Sequence, residues 1–487
     1  RDSSTSRGLG DVYKRQLQDS VTSYKEYVDL CAENNMKALA ISEHGNIFNW
    51  LKKKQYCESK GIKFIFACEV YLTEKLEPKE RDNYHTVLIA KNLKGVHELF
   101  SLISKSSDKE HMYYKPRITF DEFLNISNNI ISTSACLASP LHRLSQDNKY
   151  FDKLCNKYDF FEIQPHDYDE QRAYNVFLYE LSKKYKKPLI LGTDTHSSTQ
   201  YKAECRQIEK IAKKMEYADE DSFDLTFKTY NNLLEMYTNQ DGKSNMLPYN
   251  VYIEAIKNTN LIDKMTENIS IDTSFKYPNL YPDEENYLDK EVKRSYNEKV
   301  TKGIIDGNNK QYIKNIKEES RVFKKIGQCS FMLSMSDIMR FCKDNNIATG
   351  SCRGSVGGST IAYLLDIIDL DPVQWNTVFS RFANEDRVSL GDIDVDIKSS
   401  HRDKVFNYVI HRFGQEKTCR VLTLGTVADK GTIDEIARAL INKKDASKEI
   451  KEKYNITNTK QIKQKYDLLL NVYVKSVSYT HLRAHET

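Results

Sequence analysis

The chain is 487 residues long, 39% hydrophobic and 29% charged, with a mean hydropathy of −0.64 and a net charge of +4. At roughly 150 residues per domain that length suggests about three domains, and no apolar run approaches the ~18 residues of a membrane span. The first sixteen residues hold no apolar signal core, so neither a membrane nor a secreted protein is expected. Charge this close to balance permits a nucleic-acid partner without announcing one. Ten cysteines never fall as Cys-x-x-Cys; that spacing offers neither a zinc ribbon nor a thioredoxin-type pair and fits a reduced, cytoplasmic chain.

Residues 1–16 are rich in Ser, Arg and Gly without periodicity, and 476–487 are equally aperiodic. Both are expected to be non-native, a leader and a tail, the alternative being native disordered ends. From residue 23 to about 196, apolar runs at 38–41, 62–66, 86–90, 129–132, 160–163 and 189–191 alternate with polar, helix-length segments such as 46–60 and 172–186. The alternation predicts a parallel sheet with helices outside it, open or closed into a barrel. Ligand-type side chains follow several runs: His44 the first, Cys136 the fourth, Asp194 and His196 the last. Glu69 lies inside its strand and His85 precedes its own. Strand C-termini are where α/β barrels place their chemistry, and His, Glu, Cys and Asp are the ligand set of zinc or manganese. Taken singly, each of these residues also has a purely structural reading; the series is what points to a site.

Residues 200–320 are Lys- and Tyr-rich with a helical pattern and no chemistry of their own, which predicts a helical connection. Within 331–440, the loop Gly350–Ser359 precedes Ile361, Leu364, Leu365 and Ile368 at helical spacing. A Gly/Ser loop opening an amphipathic helix offers backbone N–H groups and a positive dipole end to a phosphate, and Arg353 adds a fork-shaped donor. No Gly-Lys-Ser/Thr of the Walker kind ends it, and many such loops are only turns. Further on, Asp392, Asp394 and Asp396 alternate with Ile393, Val395 and Ile397, which puts three carboxylates on one strand face. Carboxylates so placed need a cation among them, and Mg2+ shared with substrate phosphates is the natural candidate. The alternative is a solvated acidic edge.

Through Arg353–Ser359, Asp369–Pro372, Phe379–Phe382, Asp392–Asp396 and Leu424–Thr426, the stretch 331–438 resembles the palm and early thumb of the bacterial replicative DNA polymerase III alpha subunit family. Residues 19–200 are similar to that family's N-terminal polymerase-and-histidinol-phosphatase (PHP) domain, through Ser42–Asn46, Cys68–Tyr71, Tyr84-His85, Ser134–Leu137 and Asp194–His196. No exonuclease insert interrupts that segment, so it looks DnaE-type rather than PolC-type. The resemblance implies an α/β multidomain chain. It would have a PHP-type distorted (β/α) barrel over 17–200 and a helical connection over 201–320. The first part of a polymerase-beta-like nucleotidyltransferase palm would follow over 321–423, and the start of a helical thumb over 424–475.

The same resemblance places the first two catalytic, Mg2+-binding aspartates at Asp392 and Asp394. It puts the triphosphate-binding loop at Arg353, Gly354, Ser355 and Ser359, with a further basic position at Arg381. Asp396 matches the motif without being a principal metal ligand. Asp19, His44, Glu69, His85, Cys136, Asp194 and His196 fall on the PHP site, which implies Zn2+ or Mn2+. There are departures. The family's opening His-x-His is missing ahead of Leu17, Glu43 replaces aspartate, Gly391 replaces proline, and Ser351-Cys352 replaces Pro-Gly. The third catalytic aspartate belongs to a segment after the thumb, which is not in this sequence. The expectation is therefore an N-terminal fragment of a template-directed DNA polymerase, inactive alone. The whole protein would act on primer-template DNA and deoxynucleoside triphosphates, with a sliding clamp, clamp loader and proofreading subunit as partners. The rival expectations are a metal-dependent phosphoesterase or 3′–5′ exonuclease, and a metal-stabilised scaffold without catalysis. Finally, 443–465 holds eight lysines against Asp445, Glu449 and Glu452. Lys448, Lys451 and Lys453 are candidate contacts to DNA phosphates, a solvated helical face being the alternative.

Overall fold

The computed structural model describes residues 20–77, 80–213, 223–274, 277–385 and 392–419, and the chain divides after Asp272 into two compact units. In the first unit every expected apolar run forms a strand. These are β1 (Ala38–His44), β2 (Lys63–Thr73), β3 (Tyr84–Ala90), β6 (Ile130–Thr133), β7 (Phe161–Ile163) and β8 (Leu189–Leu191), with β4 (Met112–Tyr113) and β5 (Lys115–Thr119) added between β3 and β6. The apolar stretch from Phe64 to Leu72, broken only by Glu69, makes β2 buried along nearly its whole length, as a strand covered on both faces should be. β1 lies parallel to β2, with His44 opposite Glu69. β5 continues along the same edge, with Tyr71 opposite Arg117. β3 runs antiparallel on the other edge, and β6 antiparallel to β3. A single parallel bridge, Thr133 to Phe160, leads on to the parallel pair β7–β8.

The expectation of a parallel sheet is thus corrected at β3 and at the two-residue β4. A parallel return needs a crossover of a dozen or more residues, and the 74–83 link between β2 and β3 is shorter than that. His85 also moves: β3 begins at Tyr84, so the histidine lies inside its strand. The expected helices over 46–60 and 172–186 appear as α1 (Trp50–Ser59) and α2 (Asp169–Tyr185).

Residues 201–320 do not form one connection. Helices α3 (Tyr230–Thr238) and α4 (Tyr249–Met265) sink Leu233, Tyr252 and Ala255 into the first unit's core beside Leu178 and Leu189. Asn258 of α4 donates to the Leu189 carbonyl at 2.9 Å, occupying a backbone acceptor of β8 that a sheet edge would leave open. The second unit starts with α5 (Glu284–Thr301), α6 (Lys310–Lys325) and α7 (Cys329–Asp344), whose Leu288, Val292, Tyr312, Phe323 and Met332 share a core with Ile361, Leu364 and Leu365. The apolar spacing after the Gly/Ser loop reads longer than the helix it makes. α8 spans only Thr360–Leu364, buried all round rather than amphipathic, and Asp366 turns the chain away with φ 57°. Among the described residues the last α-helix is α9, Arg402–Phe413. The thumb expected over 424–475 lies outside the described residues.

Candidate functional site

The first unit places His44 at the end of β1 and Cys136, Asp194 and His196 past β6 and β8, with Glu69 midway along β2 and His85 near the start of β3. Glu69, buried in β2, takes His44 Nδ1 and His85 Nδ1 on the same carboxylate oxygen, each at 2.8 Å. Burial works against ionisation of this carboxyl, yet the two imidazoles hold it well below the ordinary value. Cys136 Sγ stands 3.4 Å from His85 Nδ1. Burial, with the carboxylates of Asp194, Glu69 and Glu162 nearby, pushes its thiol well up. The His196 ring lies 5.8 Å from that of His44, centroid to centroid, and His85 at 6.0 Å. His196 Nδ1 donates to the Asp194 carbonyl at 2.8 Å, and Asp194 itself sits in the left-handed region at φ 46°. Asp19 lies outside the described residues; its neighbour Ser20 donates to the His196 carbonyl at 2.6 Å.

Three residues of this cluster were not anticipated. Tyr71, fully buried on β2, stacks beside His44 and meets His85 edge-on. Glu162 on β7 accepts from Thr133 Oγ1 at 2.7 Å. Its carboxyl is enclosed by protein even though part of the residue still meets solvent, and burial pushes it up to about 7. Gly192, just past β8, leaves the room this carboxyl fills, because an added Cβ would fall on Glu162 Oε1. His166, past the end of β7, is buried against Phe223 with neither ring nitrogen hydrogen-bonded among the described residues. The signals existed: Glu162 is a charge inside an apolar run, and His166 follows β7 as His196 follows β8.

Does this set suit a transition metal? Nδ1 of His44 and of His85 meets the Glu69 carboxylate, and Nδ1 of His196 meets the Asp194 carbonyl, the kind of partner that orients a ligating histidine. The arrangement is nevertheless closed upon itself. Among the described residues no group of three His, Cys, Asp or Glu side chains stands ready to hold one ion.

The second unit brings the loop and the acidic segment together. Gly350 N donates to Asp396 O at 2.8 Å, Lys398 N to Ala348 O at 3.2 Å, and Thr349 bridges Ile397 antiparallel. Asp392, Asp394 and Asp396 are exposed while Ile393, Val395 and Ile397 are half-buried. The expected alternation is therefore present, although only Ile397 pairs as a strand does. The cation that such a face requires is Arg353, with Nη1 2.9 Å from Asp396 Oδ1 and Nε 3.7 Å from Asp394 Oδ2. Gly354, at φ 79°, and Ser355 follow on the accessible side of the loop. Arg381 is exposed on the short 3-10 turn Phe379–Arg381. The exposed oxygens of Asp392 and Asp394 suit a hard divalent cation in kind.

Ser359 is a correction. It is fully buried, caps α8 by accepting from Ala362 N at 3.0 Å, and donates to Glu319 Oε2 at 2.7 Å. Glu319, reaching over from α6, also accepts from Thr360 N at 2.8 Å and Ile361 N at 3.0 Å. The acceptor at this helix N-terminus is the protein's own carboxyl group, so of the predicted loop residues the accessible ones are Arg353, Gly354 and Ser355. Lys448, Lys451 and Lys453 lie outside the described residues.

Comparisons with known proteins follow the same division. Residues 14–164 match the PHP domain, and 286–483 match the bacterial DNA polymerase III alpha NTPase domain. DNA polymerase III subunit alpha of Borreliella burgdorferi is 30% identical over 448 residues, covering 87% of this chain and 38% of that protein. The Aquifex aeolicus subunit is 28% identical over 457 residues, with 87% and 39% covered. That of Campylobacter jejuni is 29% identical over 466 residues, with 87% and 38% covered. The chain thus spans about two fifths of the length of these curated relatives. It carries a PHP domain followed by a DNA polymerase III alpha NTPase domain, and it is related to the bacterial DNA polymerase III alpha subunits.

Proposed function

We propose that this chain is the N-terminal part of a template-directed DNA polymerase, and that Asp392 and Asp394 belong to its nucleotidyl-transfer site. The observation that carries the reading is the backbone pairing of 348–350 with 396–398, which sets the Arg353–Ser355 segment against the acidic face. Mg2+ held by Asp392 and Asp394 would supply Lewis-acid activation of the reacting oxygens. The chain's own residues bind and orient: Arg353 is a fork-shaped donor for triphosphate oxygens, and the Gly354–Ser355 backbone lies open beside it. The substrates under this reading are primer-template DNA and deoxynucleoside triphosphates. Sliding clamp, clamp loader and proofreading subunit are the partners of the whole protein, which acts in the cytoplasm. Catalysis needs a third carboxylate beyond Asp392 and Asp394. Purified 17–475 should therefore bind a deoxynucleoside triphosphate with Mg2+ yet fail to extend a primer; measurable extension would overturn this assignment. Lys448, Lys451 and Lys453 are proposed as phosphate contacts. Their replacement by alanine in the full-length enzyme should flatten log K against log salt by up to ~0.9 per lost contact.

The convergence of His44, His85 and His196 favours a second reading for the first unit, a metal-dependent phosphoesterase or 3′–5′ exonuclease. Metal bound without nuclease activity would instead leave the unit as a metal-stabilised scaffold.

A further inference from the structure

Asp396 matches the acidic motif but has no place among the metal-binding carboxylates of the proposed site, and the structure gives it another task. The backbone bond from Gly350 N to Asp396 O fixes the residue directly across from the start of the loop. Gly350 makes this approach possible: an added Cβ would stand 3.1 Å from Asp396 Cβ and 3.4 Å from its Oδ2. The carboxylate then reaches forward to Arg353 Nη1 at 2.9 Å, while Arg353 Nε is held 3.7 Å from Asp394. A guanidinium on a long, exposed side chain otherwise samples many rotamers. Here one end of its fork is tied to Asp396, and the remaining donors stay beside the carboxylate assigned to catalysis.

We propose that Asp396 is a positioning residue that holds the Arg353 guanidinium at the place where the triphosphate binds. The inference rests on the nucleotidyltransferase reading of this unit. It makes a prediction whose sign differs from that of simple electrostatics. Asp396→Asn removes a negative charge from the surroundings of an anionic ligand, which by Coulomb's law alone strengthens anion binding. Release of Arg353 from a competing carboxylate would act in the same direction. Loss of positioning acts the other way.

The test is the dissociation constant of deoxyadenosine triphosphate with Mg2+, measured on the full chain and its variants at a temperature well below their melting. The expected result is binding weakened about threefold to fivefold by Asp396→Asn, the size of effect an exposed ion pair carries. Asp396→Asn should add nothing further in an Arg353→Gln background, because the aspartate acts through the arginine. Binding unchanged or tightened by Asp396→Asn overturns the inference while leaving the nucleotidyltransferase reading intact. An equal loss with and without Arg353 overturns it as well. Absence of triphosphate binding by the unaltered chain overturns both. Unchanged urea midpoints for the variants exclude a general loss of fold as the cause.

Discussion

The two candidate sites handle charge in opposite ways. In the first unit several carboxylates are enclosed and held by protein partners: Glu69 between two imidazoles, Glu162 against Thr133, and Glu43 paired with the buried Lys53. In the second unit Asp392, Asp394 and Asp396 face solvent, and Arg353, the counter-ion of the last two, is itself about 61% exposed. A buried charge without a partner is too costly to keep, so the enclosed cluster is structural whatever else it does. An exposed carboxylate is hydrated at little cost, and a cation or a substrate can claim it. The same contrast recurs within the second unit. There the helix N-terminus that an external phosphate could occupy is buried and filled by Glu319, and only the exposed start of the loop is left to receive a ligand.

The largest effect is predicted for Glu319. Glu319→Ala leaves the Ser359 hydroxyl and the Thr360 and Ile361 N–H groups buried without acceptors, at about 1–3 kcal/mol each before water or relaxation compensates. The second unit should lose about 3 kcal/mol or more, read from its urea midpoint. Burial pushes this carboxyl up to about 7 against the opposing pull of the Ile361 N–H, the Ser359 hydroxyl and Thr360. An acid whose folded value exceeds its unfolded value binds its proton more tightly when folded. Its contribution is complete below about 4.5 and is lost as the pH rises through about 7. Glu319→Gln, which cannot ionise, should flatten that slope; a slope unchanged in the variant would assign it to other groups.

An intermediate effect is predicted in the first unit. Gly192→Ala drives a methyl group into the Glu162 carboxyl, an overpacking that costs about 1–3 kcal/mol. A side chain can swing aside where a backbone cannot, which keeps the cost toward the lower figure. The comparison sharpens with a double variant. Glu162→Ala removes the obstructing atoms, so Gly192→Ala should be better tolerated in that background than in the unaltered chain, a coupling that a thermodynamic cycle measures. Equal costs in both backgrounds would mean that Gly192 is needed for its backbone rather than for the space it leaves.

How much of this was legible in the sequence follows from the same physics. The apolar runs marked the six main strands, because a strand covered on both faces has to be apolar along its length. They could not mark the direction of β3, since burial carries no sense of direction; only the short 74–83 link hinted at it. Position at or past a strand end marked His44, Cys136 and His196, and the alternation of Asp392–Ile397 separated exposed from half-buried residues. Ser359 was misread for a specific reason. Whether a helix N-terminus is open to an outside anion depends here on Glu319, forty positions earlier in the chain, and no local pattern reports so distant a partner. The division of 201–320 between two cores was hidden for the same reason: helical spacing shows that a face is apolar, and it does not show which core that face joins.

The smallest effect is the sharpest check on the contrast between the sites. Arg353→Gln removes the counter-ion of Asp394 and Asp396, which on a count of charges alone destabilises the second unit by mutual repulsion. Arg353 and Asp396 are each about 61% exposed and Asp394 about 49%, so water and salt screen both the attraction that is lost and the repulsion that is left. The urea midpoint of the second unit should therefore move only slightly at physiological salt and somewhat more when the salt is lowered. A clear fall at physiological salt would mean that the acidic face is less solvated than its exposure implies. Asp392 and Asp394 would then be held by the fold much as Glu69 is, with less freedom to receive a cation.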